Sequence, residues 1–328
     1  MLDGFPHLLY YWCTMEVVSI CPLCGASEQK QVYRTDRLDY VACARCGLVF
    51  LRARPSDTEL ATFYESQFQD KRRNLTSVEG AVARLKDKGS YEEKKEYIPY
   101  LAPYLKSAMR CLEIGGGWGT LGKVVQDAFG CTVDEVEPSR LAAEVARQHY
   151  GLTVFPVDIS TFVEGEGRGK TYDMAILVHV FEHLTDPNAF LENVKRVLKK
   201  DGLLFLSLPD VLNPDGPSER FFHVEHCFYF SPKTMELMLA KHGFRVLELR
   251  RTSADMRLVC QLAPDVPAPS FENDEYLGVM AAIGRMEKKY AILRYVKKQF
   301  AKFFKPAQLD WLGKRAARCL RACRIIKV

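Results

Sequence analysis

From about residue 109 onward the apolar residues fall into short runs, "RCLEI", "CTVDEV", "LTVFPV", "YDMAILV" and "GLLFLSL", with helix-patterned segments between most of them. No other feature restricts the fold as much. Strands buried on both faces and joined by helical crossovers form a parallel sheet with helices on either side. A helix "SPKTMELMLAKHGF" follows, with Ser231 as its N-cap, an apolar stripe and a terminal Gly243; "RVLELRR" and "MRLVCQL" then read as two antiparallel strands that close the sheet. The expectation is an α/β domain over residues 109–264. At 328 residues the chain has room for more than one unit.

Ahead of that domain, Cys21, Cys24, Cys43 and Cys46 form the pattern C-x2-C-x18-C-x2-C. Four thiolates make a closed tetrahedral shell for a structural Zn2+, and each C-x-x-C-G turns tightly beneath the metal. A redox dithiol needs only one such pair, so the doubled pattern favours metal. Residues 16–52 are therefore expected to form a small zinc ribbon. The remaining cysteines are scattered, as in a chain kept in a reducing, cytoplasmic setting.

Residues 53–108 read as a helical connector that covers a site. They carry an N-cap at Ser56 or Asp57, Glu59 in the first turn, a basic "DKRRN" and an apolar "YIPYLAPYL". Tyr64 is a weak candidate to reach the site from there. Residues 1–15 are expected to be an irregular extension, without a basic leader or small-residue cleavage pattern, and Met15 is a candidate natural start. No segment has the length and apolarity to span a bilayer.

The net charge of +5 hides an asymmetry. Residues 285–328 hold 14 Lys and Arg against Glu287 and Asp310, so the rest of the chain is acidic overall and unlike a nucleic-acid-binding body. In the tail, 265–328, Ile292, Val296, Phe300 and Phe303 share one face of a basic amphipathic helix. Such a segment suits an anionic membrane surface or a phosphate, and equally suits docking on its own domain.

The stretch "CLEIGGGWGTLG", residues 111–122, is the first strand-to-helix turn, where a cofactor approaches bare backbone in folds of this kind. Gly117, Gly119 and Gly122 spell G-x-G-x-x-G, the dinucleotide pattern. Glu113, Gly115, Gly117 and Gly119 spell E-x-G-x-G-x-G, a methyltransferase pattern. The strand "CLEI" ends at Gly115, which favours the second frame. Glu113 is then placed to complement a cationic methionine moiety, Glu137 at the end of the next strand to hold a ribose diol, and Asp158 after the third to accept from an adenine amine. The plainer reading of Asp158 is a solvated loop residue.

With "HVFEHL" after the fourth strand, the chain resembles the class I S-adenosylmethionine-dependent methyltransferases, whose fold is Rossmann-like. The resemblance covers about 109–264 and implies that Val178 and His179 line the cofactor cleft; His179 otherwise reads as a packed strand-end histidine, and Glu182 with His183 as a polar pair at a helix start. Joined to the cysteine pairs and to "GLVFLRARPSDTELATFY", the chain is similar to a family that includes deoxysugar C-methyltransferases of nucleotide-sugar pathways. In that family a Y-H-E-H segment supplies the base. Here "FFHVEHCFYFS" keeps Glu225 and His226, while His223 stands where the family has tyrosine, and about 64 residues follow the core in place of a large C-terminal domain. The resemblance implies methyl transfer to a sugar, glycan or other small-molecule acceptor. His226 is the preferred general base, Glu225 its orienting partner and His223 a second candidate. Two rivals stay open: an RNA methyltransferase gripping nucleic acid through ribbon and tail, and a zinc- and cofactor-binding module without turnover.

Overall fold

A computed structural model describes residues 15–55, 75, 77–214, 216–263, 265–267, 269–271 and 274–300. Ser56, Asp57, Glu59, Tyr64, "DKRRN" and Phe303 lie outside the described residues, as do the side chains of Val296 and Phe300.

The N-terminal module consists of β1 (Met15–Val17), β2 (Gln29–Arg34), β3 (Asp39–Cys43), β4 (Val49–Leu51) and β5 (Ala53–Pro55). β2, β3 and β4 form an antiparallel meander, and β1 pairs with β5, so pairing continues past residue 52. Among the described residues of the connector, α1 (Val78–Asp87), capped by the Ser77 hydroxyl, α2 (Ser90–Lys94), a 3-10 turn (Lys95–Tyr97) and α3 (Ile98–Leu101) follow.

The main sheet then builds up by alternation: β6 (Arg110–Ile114), α4 (Thr120–Phe129), β7 (Thr132–Val136), α5 (Arg140–Tyr150), β8 (Thr153–Phe155), α6 (Ile159–Glu164), β9 (Tyr172–Val178), α7 (Pro187–Val197) and β10 (Leu198–Pro209). After α8 (Ser218–Phe221) and β11 (Phe228–Tyr229) come α9 (Pro232–Lys241), β12 (Phe244–Arg251), β13 (Asp255–Leu262) and α10 (Asp274–Phe300). Local chemistry sets several helix starts. The side chains of Ser139, Asp158, Asp186 and Ser231 accept from the first-turn amides of α5, α6, α7 and α9, and Ser231 completes a capping box with Thr234.

The seven-stranded sheet has the order β12-β13-β10-β9-β6-β7-β8. β10, β9, β6, β7 and β8 are parallel, and β13 runs antiparallel to both of its neighbours. This is the α/β Rossmann-like architecture expected from the sequence, a parallel sheet with closing antiparallel strands. Side-chain alternation divides the core between two faces: Leu112, Ile114 and Leu177 on one, Cys111, Met174 and Ile176 on the other. Chain order reverses between β6 and β9, so a crevice opens at their carboxyl ends.

The N-terminal module is fused to this body. β11 adds to its meander, with Phe228 opposite Phe50 and Tyr229 opposite Val49. Cys21, Val41 and Phe50 belong to the same buried cluster as Leu112 and Leu206. The carbonyl of Pro22 in the first cysteine turn accepts from Asn188 Nδ2 (3.2 Å) and Lys241 Nζ (2.8 Å) of the helical layer. α10 seats Val279, Ile283 and Met286 against Tyr40, Val49 and Phe222, a docked helix at its N-terminal half, whereas Ile292 further along is 63% exposed. Among the described residues no helix is long and apolar enough to cross a membrane.

Candidate functional site

The crevice is a cleft of about 760 Å³ at the carboxyl ends of β6, β7 and β9. Its floor is the loop Gly115–Gly117, its walls include Glu137, Asp158 and His179, and α1 and α2 border it with Arg84, Leu85 and Lys94. Among the described residues, part of the stretch read as a connector thus lines the cleft. Glu137 is tied at both oxygens: Gly117 N–H donates to Oε2 and Ser139 N–H to Oε1, each at 2.8 Å. That pins the carboxylate beside the glycine loop while leaving acceptor capacity on both oxygens.

Beneath the loop lies a carboxylate pair. Parallel register sets Glu113 opposite Glu135, and both are buried. A Cβ on Gly116 would fall 2.6 Å from the Glu135 carboxyl carbon and 2.8 Å from that of Glu113, so glycine there is required by the acids below as much as by any ligand above. Burial pushes Glu113 up to about 8, against the opposing pull of Lys94 and the Gly122 amide. Burial, reinforced by Glu113 and Glu137, pushes Glu135 well above the usual carboxylate range, and burial also raises Glu137 despite its two amide donors. Neither oxygen of Glu135 has a hydrogen-bond partner among the described residues.

Histidines gather at and behind one wall of the cleft. His179 follows β9 with left-handed backbone (φ 55°), its Nδ1 3.1 Å from Glu182 Oε1 and its Nε2 3.5 Å from Asp255 Oδ2. Desolvation opposes its charge, but hydrogen bonds to Asp255 and Glu182 outweigh it and lift the imidazole to about 10. His183 also lines the cleft; its ring stands edge-on to His226 at 4.7 Å, and His226 lies against His223 at 3.8 Å. The Glu225 carboxylate faces His223, Oε2 to Nδ1 3.9 Å. This loop is held from the N-terminal module: the Tyr40 hydroxyl contacts the carbonyls of His223 (2.8 Å) and His226 (2.5 Å), and Leu51 N–H donates to Cys227 O (2.8 Å).

The four module cysteines converge. Sγ of Cys21 and Cys46 are 3.6 Å apart, those of Cys24 and Cys43 are 3.4 Å apart, and all are free thiols. Thiolates about 2.3 Å from a tetrahedral ion stand roughly 3.8 Å from one another, so the donor set fits a four-coordinate metal with little movement. Gly25 N–H donates to Cys21 O and Gly47 N–H to Cys43 O, both at 2.9 Å, closing the two turns expected from C-x-x-C-G.

Residues 87–249 match the family model for a methyltransferase domain. That match spans just under half of the chain. The chain is 30% identical over 105 residues to the ubiquinone biosynthesis O-methyltransferase of Actinobacillus pleuropneumoniae serotype 5b (strain L20), covering 30% of this chain and 44% of that protein. It is 29% identical over 217 residues to the C-methyltransferase NovU of Streptomyces niveus, covering 65% of this chain and 47% of NovU. The chain thus spans less than half the length of either relative. The glycopeptide N-methyltransferase MtfA, solved with (S)-adenosyl-L-methionine, overlays with a TM-score of 0.43 at 17% identity, over 52% of this chain and 94% of that one.

Within the matched region the expected residues divide into groups. Gly115, Gly117, Glu113, Glu137, Asp158, Val178 and His179 all border the cleft. Gly119 does not; it packs at the start of α4 against Ala146 and Leu152. Asp158 doubles as the cap of α6, its Oδ1 accepting from Thr161 N at 2.8 Å. His223, Glu225 and His226 are not among the residues that line the cleft; His226 stands behind the lining residue His183, with ring centroids 4.7 Å apart. Sequence reasoning missed Glu135, Asp255 and Tyr40; Glu182 and His183, whose plainer reading was a polar pair at a helix start, stand on the turn Phe181–His183 with Glu182 only 1% exposed. The legible signal was an acid inside an apolar parallel strand, "VDEV", whose two faces are both covered.

Proposed function

We propose that the protein is an S-adenosylmethionine-dependent methyltransferase with a structural zinc ion at Cys21, Cys24, Cys43 and Cys46, acting on a sugar, glycan or other small-molecule acceptor. The observation that carries this reading is a single cleft lined by Glu137, the glycine loop, His179 and His183. Glu137 suits a ribose diol, Asp158 an exocyclic amine, and the loop amides a close-lying methionine moiety. S-adenosylmethionine supplies an electrophilic methyl on sulfonium sulfur, transferred by in-line displacement.

The chain's own work is to seat the acceptor and take its proton. His223, partly exposed and facing the Glu225 carboxylate, is suited to accept that proton, with Glu225 stabilising the imidazolium. This exchanges the roles that the sequence pattern suggested for His223 and His226. The sugar-type acceptor is supported by the likeness to NovU over 65% of this chain and by the kept Glu225 and His226. Calorimetry with S-adenosylmethionine and its demethylated product tests the cofactor. Incubation with labelled cofactor and separated nucleotide-sugar, lipid and RNA fractions tests the acceptor: label in the nucleotide-sugar fraction supports the reading, and label in RNA alone overturns it. His223→Ala is expected to cut turnover at least ~100-fold with cofactor affinity unchanged.

A further inference from the structure

The histidine cluster contains a donor set that general-base chemistry does not use. Glu182 sits on the turn Phe181–His183, is 1% exposed, and its Oε2 has no hydrogen-bond partner among the described residues. A buried carboxylate oxygen without a donor is costly. Its other oxygen is fixed at 3.1 Å from His179 Nδ1. The adjacent His183 approaches the Glu225 carbonyl through Nδ1 at 2.7 Å. A carbonyl only accepts, so Nδ1 carries the proton and Nε2 keeps its lone pair, 4.0 Å from Glu182 Oε1. His226 enters from the opposite segment, which Tyr40 and β11 hold in place.

We propose that Glu182, His183 and His226 form a second metal site, for a divalent first-row transition cation, at the cleft wall to which His183 belongs. One donor atom from each residue lies within 4.8 Å of the other two. Ligands about 2.1 Å from one ion stand roughly 3.0–4.2 Å apart, so closure needs side-chain settling of under about 1 Å. Two imidazoles and one carboxylate select zinc, iron(II), cobalt(II) or nickel(II) over magnesium and calcium, and three protein ligands leave coordination positions open. The His183 bond to a backbone carbonyl is the outer contact that metal-bound histidines characteristically make, and His179 performs the same service for Glu182. The site differs in kind from the cysteine shell, which is closed. Building on the methyltransferase reading, the open positions would take an oxygen of the acceptor and hold it toward the methyl donor, beside His223.

Cobalt(II) titration of the full chain tests this. The cysteine shell gives intense thiolate charge-transfer absorption, which nitrogen and oxygen ligands lack, so the two sites are read separately. Two equivalents are expected, the second without added charge-transfer intensity. His183→Ala and Glu182→Gln should each weaken that second equivalent at least tenfold while leaving the first, and the affinity for S-adenosylmethionine, as in the wild type. The unchanged first equivalent serves as the check on folding; if either variant fails it, His226→Gln is used instead. A wild type that binds only one equivalent, or variants that keep the second at full affinity, overturns the site. A second equivalent in a protein that ignores S-adenosylmethionine would leave the metal site standing and remove the methyltransferase reading, so the two failures are distinct.

Discussion

Substituting alanine at Gly119 and at Gly151 separates backbone strain from close packing. Both residues hold left-handed backbone at a helix boundary, φ 73° and 69°. An alanine in that conformation costs ~1–2 kcal/mol at either site. Around Gly151 an added Cβ meets nothing within 4 Å. At Gly119 it would fall 2.5 Å from Ala146 Cβ, 2.8 Å from Leu152 Cδ1 and 2.9 Å from Glu135 Oε2. The Ala146 methyl is attached directly to the backbone of α5 and cannot swing aside, so the loop must lift, adding ~1–3 kcal/mol of overpacking. Gly119→Ala should therefore cost ~2–5 kcal/mol in all and Gly151→Ala only ~1–2 kcal/mol. Urea unfolding of the metal-loaded protein, followed by far-ultraviolet circular dichroism, measures both. Losses equal to within about 0.5 kcal/mol would refute the close-contact argument.

Glu137→Ala removes the carboxylate assigned to the ribose diol and should raise the dissociation constant for S-adenosylmethionine ~10–100-fold by calorimetry, with circular dichroism unchanged. Tyr40→Phe leaves the carbonyls of His223 and His226 without their shared hydroxyl; a stability loss of ~1–3 kcal/mol and a fall in turnover at constant cofactor affinity are expected, and full turnover would show that the module does not position the loop. Stability should also follow the buried acids. Their folded-state values are raised, so their contribution is fully present below the unfolded value of about 4.3 and is lost as pH rises through the folded value, about 8 for Glu113. Glu135→Gln should accordingly melt higher than wild type at pH 8 to 9 and converge with it at about pH 4 and below; a variant that melts lower throughout contradicts the assignment.

Much of the fold could be read from local pattern. Periods of two and 3.6 residues gave the strands and helices, and Ser231 and Asp158 each cap the helix that follows them because a cap needs only its own first turn. The cysteine pairs were equally legible, since metal ligation imposes a spacing. The docking of α10 was not, because the stripe that seats, Val279, Ile283 and Met286, lies N-terminal to the one the charge pattern drew attention to.

The site depended on pairings that link distant parts of the chain. The sequence determined that carboxylates would follow the strands and that histidines would follow β10. Only the tertiary structure decided that parallel register presses Glu113 against Glu135 under the glycine loop, that β11 joins the cysteine module and so fixes the HVEH segment, and that Glu182 turns inward to meet His183 and His226. The physical reason is range. Capping, periodicity and ligand spacing act over a few residues, whereas the charge state and partners of a buried acid are set by whatever the completed fold brings within hydrogen-bond distance.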